Sequence, residues 1–188
     1  LGFVSHAETI VGDSSTVETY YEKVNDPTTL DTGDEVLITY ETKALVAKSG
    51  STLTEGTIAG GDKLTEVPDG SVWKVTKSSS SSNNYFFKTD KVSDGSNQLR
   101  VSKSSIDIGS ETNGFTITSK GKIYRVRGWS LSKDYSITYN NGFTGIEDEE
   151  ASNSTAFTFY KKVQSNVKLT INYKLDENTT SKVEKEVK

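Results

Sequence analysis

The side chains best suited to chemistry in this sequence lie between Trp129 and Asn141. Trp129, Asp134, Tyr135, Tyr139, Asn140 and Asn141 fall within one short stretch. An indole or phenol ring offers a flat apolar face to the C–H face of a sugar, and nearby Asp or Asn groups exchange hydrogen bonds with its hydroxyls. Trp129 follows Gly128 between two strand-like runs, which makes it the less core-like of the two tryptophans. The competing reading has Trp129 capping the interior and Tyr135 or Tyr139 turned inward by strand alternation. Two sparser sets of the same type are Tyr85, Asp94, Asn97 and Gln98, and Tyr40 with Glu41.

Nucleophilic and metal chemistry have little to work with. The chain has no Cys and a single His, His6. Thiol nucleophiles, thiolate metal sites and iron–sulfur clusters are thereby excluded, and so is any multi-His metal site. A Ser-His-Asp triad would have to use His6. The acidic run Glu147–Glu150 offers hard oxygen ligands, but contiguously rather than in the alternating pattern of a calcium loop. Residues 90–97 alternate better and lack the closing Glu. No phosphate-binding glycine loop is present, and no motif fixes a lysine–asparagine crosslink or a catalytic carboxylate pair. The expectation is a protein that is not an enzyme and uses no metal or cofactor.

Composition narrows the partners. The 188 residues carry a net charge of −4 with both signs interspersed, and only three arginines, Arg100, Arg125 and Arg127, so a nucleic-acid partner is not expected. No apolar run approaches the ~20 residues of a membrane span, so membrane insertion is not expected either. Hydrophobic residues make up 32% of the chain, below the ~45–50% of ordinary domains on a slightly broader definition, while Ser and Thr number 25 and 24. The lack of Met, position 1 included, reads as a processed chain or a piece of a longer one. Residues 1–7 read either as the tail of a secretory signal or as an apolar first strand.

These side chains must be positioned by strands. Helical periodicity is nearly absent, and short β-branched or aromatic runs alternate with Gly, Asn, Asp and Ser clusters. Candidate strands cover 19–24, 36–40, 43–47, 72–76, 85–89, 98–102, 105–108, 114–118, 122–127, 135–139, 156–161 and 167–173. Trp73, Phe115 and Phe157 sit in matching contexts, small–aromatic–polar–apolar–polar, and are spaced by 42 residues each time. The strands between them recur as well, with weak third strands near 56–59 and 143–146. Three units of four strands total twelve, which suits a closed threefold barrel.

The segments Leu30–Tyr40, Val72–Val75 and Ala156–Lys161 resemble β-trefoil modules, ricin-type in the wider sense and more closely those near the N-termini of Gram-positive bacterial cell-surface proteins. The resemblance spans roughly 20–163. The closing strands depart from the Gln-x-Trp signature, with Ser71, Asn113 and Thr155 two residues before the aromatic, which puts galactose-type binding in doubt. The implied fold is an all-β trefoil over 8–163, with repeats at about 30–77, 78–119 and 120–163; the alternative is a β-sandwich. Residues 164–188 read as one further strand and a charged linker, or the start of a following domain. The resemblance implies a secreted or cell-surface adhesion module, monomeric within a longer chain, whose partner is a glycan or another host or cell-surface ligand. A ligand-free spacer and an accessory domain of a glycan-degrading enzyme are the alternatives.

Overall fold

The computed structural model describes residues 8–79, 84–125, 134–175 and 182–187. It is all-β and antiparallel, and the described residues contain no α-helix, only two single-turn 3-10 helices at Pro27–Thr29 and Glu149–Ala151. The chain divides into two compact units, one of Leu1–Thr19 with Val163–Lys188 and one of Tyr20–Lys162.

The strands in chain order are β1 (Glu8–Lys23), β2 (Glu35–Tyr40), β3 (Lys43–Lys48), β4 (Thr52–Thr57), β5 (Lys63–Leu64), β6 (Trp73–Lys77), β7 (Tyr85–Lys88) and β8 (Gln98–Val101). They continue with β9 (Ile106–Gly109), β10 (Thr116–Ile117), β11 (Ile123–Arg125), β12 (Tyr135–Tyr139), β13 (Phe143–Glu147), β14 (Thr158–Leu175) and β15 (Lys182–Val187). Most lie within two residues of the runs expected from the sequence. The differences are instructive. The runs at 156–161 and 167–173 join into one strand, because residues 162–166 contain no Gly or Pro to break the extended chain. Lys182–Val187, expected within a charged linker, pairs with β14 from Leu169↔Val187 to Lys174↔Lys182.

Within Tyr20–Lys162, β2 is buried along its centre on both faces. Val36 and Ile38 join the main core, whereas Leu37 joins a smaller cluster with Tyr21, Ala44, Ile58, Leu64 and Tyr160. That second cover explains why this segment reads as a continuous apolar run rather than an alternating one. The main core gathers large aromatics from three places in the chain: Trp73, Phe115 and Phe157 are 0%, 0% and 3% exposed. Trp73 satisfies its indole N–H on Leu45 O at 3.1 Å, and Tyr85, also fully buried, donates its hydroxyl to Thr28 O at 2.9 Å. Both placements follow the rule that a buried aromatic with a polar tip needs a partner.

The pairing register around these aromatics repeats. Val36 lies opposite Trp73. Tyr85 lies opposite Phe115 in an isolated bridge, with hydrogen bonds of 2.7 Å in both directions. Phe157 N donates to Gly121 O at 2.9 Å. One residue after each aromatic the chain meets the next first strand: Lys74↔Lys88, Thr116↔Tyr124 and Thr158↔Thr39. Each of these partners lies three residues after Tyr85, Gly121 and Val36 respectively. Among the described residues, neither of the two ladder-paired sheets, β5-β1-β14-β2-β6-β7-β8-β9 with its branches and β10-β11-β12-β13, closes on itself. Two packed antiparallel sheets are also an arrangement that a β-sandwich fits.

Gly121 shows how tightly one of these contacts is built. Its φ is +88°, and a Cβ there would stand 2.0 Å from Phe157 O. Only glycine combines that left-handed backbone with so close an approach.

Candidate functional site

The six residues singled out in the Trp129–Asn141 stretch separate in space. Trp129 lies outside the described residues. Asp134 is buried, and its Oδ2 accepts from Glu150 N at 2.6 Å while its carbonyl accepts from Asp148 N at 3.0 Å. Its carboxylate therefore organises the turn after β13. Tyr135 and Tyr139 stand on the same side of β12 as the fully buried Ile137 and pack half-buried against the main core. Asn140 and Asn141 are exposed at the β12–β13 turn, where Asn140 N donates to Gly142 O at 2.9 Å. Asn141 holds φ +54°, a left-handed conformation that asparagine tolerates better than most residues.

Tyr139 brings in residues from elsewhere. Its ring stacks on Tyr40, with centroids 4.5 Å apart and planes at 23°. Phe143 meets it edge-on at 5.0 Å and 89°, and Phe143 in turn stacks on Phe157 at 5.7 Å. The Tyr139 hydroxyl donates to Glu55 Oε2 at 2.7 Å. The hydrogen bond to the Glu55 carboxylate, with smaller contributions from burial, Glu55, Glu41 and Tyr40, pushes the phenol up to about 12. A carboxylate that accepts a hydrogen bond from the phenol favours its protonated form.

Beside this group lies a cavity of about 240 Å³. Its walls are Leu45 from β3, Leu53 and Glu55 from β4, Ile106 from β9, and Gly142 and Phe143 from the β12–β13 hairpin. Three hairpins thus contribute one wall each. The result is a recess of mixed polarity, lined also by Thr54, with one carboxylate at its edge, next to three aromatic rings and the exposed Asn140–Asn141 turn. Such a recess can seat the apolar face of a ring and accept hydrogen bonds from its hydroxyls.

The other candidates take structural positions. Tyr85 is in the core. Asp94 Oδ1 accepts from Ser96 N at 2.8 Å, Asn97 O accepts from Thr89 N, and Gln98 Oε1 accepts from Glu111 N at 2.8 Å. In the acidic run, Asp148 is tied to Ser152 and Asn153, and among the described residues no three His, Cys, Asp or Glu side chains gather in a way that could hold a metal. No helix among the described residues is long and apolar enough to cross a membrane.

Tyr139, Asn140, Asn141 and Tyr40 stand out in the sequence by type, whereas Glu55, Leu53, Ile106 and Phe143, which lie beside them, do not. The Tyr139–Glu55 contact spans 84 residues of sequence. No local pattern announces such a pairing, and Glu55 reads as one more polar residue of a hydroxyl-rich hairpin. No protein-family model, curated protein or solved structure matches this chain.

Proposed function

We propose that Tyr20–Lys162 is a threefold, β-trefoil-like module that binds glycans without catalysing a reaction, as part of a secreted or cell-surface protein. The barrel reading draws its support from the repeated register. The three aromatics Trp73, Phe115 and Phe157 meet Val36, Tyr85 and Gly121, and their next residues meet the following first strand at the same offset each time. Three such units placed around an axis share one aromatic core and leave few free edges.

The binding reading rests on one observation: the Tyr40–Tyr139–Phe143 aromatic group, with Glu55 hydrogen-bonded to it, stands beside a 240 Å³ recess. Aromatic faces with an adjacent acceptor are what a sugar ring needs for stacking and for orientation of its hydroxyls. The carboxylate, with no cation among the described residues of the recess walls, favours neutral or amino sugars over acidic ones. Glycan-array binding by the intact chain, repeated with Tyr139→Ala and Glu55→Gln, tests the proposal. Binding that both variants lose while keeping their thermal transition supports it. A blank array with a folded protein favours a ligand-free spacer.

A further inference from the structure

We propose a second binding site, away from the aromatic recess, that takes an uncharged vicinal diol of the kind carried by a neutral sugar ring. The site is a pocket of about 260 Å³ whose walls include Arg100, Asp107, Glu111 and Arg125, with hydroxyls from Ser102, Ser110 and Thr112. Two of the three arginines of the whole chain meet in this pocket.

The groups are held in place before any ligand arrives. Arg100 forks onto Asp107, Nε to Oδ1 at 2.9 Å and Nη2 to Oδ2 at 2.6 Å. The Glu111 side chain is only 3% exposed. Its Oε1 accepts from Thr112 N and Asn113 N, each at 3.0 Å, and stands 3.3 Å from Arg125 Nε. Arg125 Nε is buried and lies off the hydrogen-bond axis to that oxygen, so it makes no hydrogen bond. Among the described residues, Glu111 Oε2 and the two terminal nitrogens of Arg125 also take no hydrogen-bond partner. Among the described residues the site thus holds an acceptor and a fork of donors side by side beyond those used in the structural bonds.

Charge selects the ligand class. Two guanidiniums and two carboxylates balance, and each is already paired, so an anion gains from the arginines what it loses to Glu111 and Asp107. A hydroxyl both donates and accepts. Of two neighbouring hydroxyls, one donates to Glu111 Oε2 while the other accepts from an Arg125 Nη. The volume is below the ~300 Å³ usual for small-molecule pockets, which suits a single ring.

The threefold register argues against a purely structural role. Glu111 lies four residues before Phe115; the residues four before Trp73 and Phe157 are Asp69 and Asn153. Arg125 lies four after Gly121; the residues four after Tyr85 and Val36 are Thr89 and Tyr40. Asp69 is 89% exposed on its side chain and pairs with Lys91 instead. A buried acid–arginine pair is costly to desolvate, and if the barrel required one it would recur at all three junctions. It occurs at one.

The test is an amide and arginine side-chain NMR titration of the intact chain with methyl glycosides of uncharged sugars, alongside glucuronate and glucosamine. At about 10 mM, tenfold above a millimolar affinity, at least one uncharged glycoside is expected to shift Thr112 N–H, Asn113 N–H and Arg125 Nε–H saturably. Glu111→Gln is expected to weaken that binding at least tenfold. Arg125→Lys, which keeps the charge and removes the fork, carries the same expectation should the first variant fail to fold. Tyr139→Ala is expected to leave these shifts intact, which separates this site from the aromatic recess. Silence at all three N–H groups with every uncharged glycoside, or tighter binding of the charged sugars, overturns the proposal. Loss of the shifts in Tyr139→Ala overturns the independence of the two sites.

Discussion

The Tyr139 hydroxyl donates a 2.7 Å hydrogen bond to Glu55 Oε2 and links β12 to β4 across 84 residues of sequence. The bond exists only while the phenol is protonated, and it pushes the phenol up to about 12. A raised pKa in the folded chain means that the stabilisation is fully present below the ordinary tyrosine value of ~10 and is lost as pH rises from there through about 12. Near-ultraviolet difference absorbance during an alkaline titration should therefore find a phenol that ionises late. In Glu55→Gln that phenol should ionise earlier, toward ~10. An unchanged titration curve in Glu55→Gln would remove Glu55 from the aromatic group.

Asp148 gives the acid counterpart. Burial pushes its carboxyl up, but hydrogen bonds from Ser152, Asn153 and Ser154 outweigh that and leave it below the usual carboxylate value. Ser152 Oγ and Asn153 N each donate at 2.8 Å. A lowered pKa means that the stabilisation is present above ~3.9 and is lost as pH falls through the folded value. Asp148→Asn should cost about 1.5–3 kcal/mol near neutral pH, the range for hydrogen bonds to a charged group. Chemical denaturation of both proteins along a pH series should show that difference shrinking below pH ~4. A difference that stays constant to low pH would mean the carboxylate's charge plays no part.

The strands and the 42-residue spacing were legible in the sequence for physical reasons. A 42-residue return of an aromatic flanked by alternating residues is a local signal, and Trp73, Phe115 and Phe157 do meet their partners in one repeated register. The candidate sites were only half legible. Tyr139 and the Asn140–Asn141 turn stand out by type, but Asp134 has the same type and spends its carboxylate on Glu150 N. Glu111 and Arg125 look like two scattered charges until the loop before β10 meets β11, because an ion pair between non-adjacent segments leaves no periodic trace.

Gly121→Ala tests one of the repeated aromatic contacts directly. A Cβ at φ +88° would be strained in any surroundings, and here it would also meet the Phe157 carbonyl at 2.0 Å. The left-handed backbone alone costs ~1–2 kcal/mol, and displacing the β14 backbone adds to it. The expected loss is at least about 2 kcal/mol in urea denaturation. Gly95→Ala provides the contrast, because nothing lies within 4 Å of a Cβ there. Equal effects at the two glycines would deny the close Gly121–Phe157 approach.

The threefold reading is tested by truncating its aromatics one at a time. Trp73, Phe115 and Phe157 are all but fully buried in one core cluster. Phe→Ala and Trp→Ala in such settings cost ~3–5 kcal/mol. If the three residues are equivalent plugs of one cooperative core, each variant should lose stability within that range and unfold in a single transition by both fluorescence and circular dichroism. Trp73→Ala should cost the most, because it empties the largest volume and leaves Leu45 O without the indole donor. If the core were divided between two independently packed sheets, truncation would split the transition, with Trp73→Ala destabilising the β2–β9 part and Phe115→Ala the β10–β13 part. Coincident transitions in all three variants are the outcome expected of one shared core, and split ones would deny that the three aromatics share it.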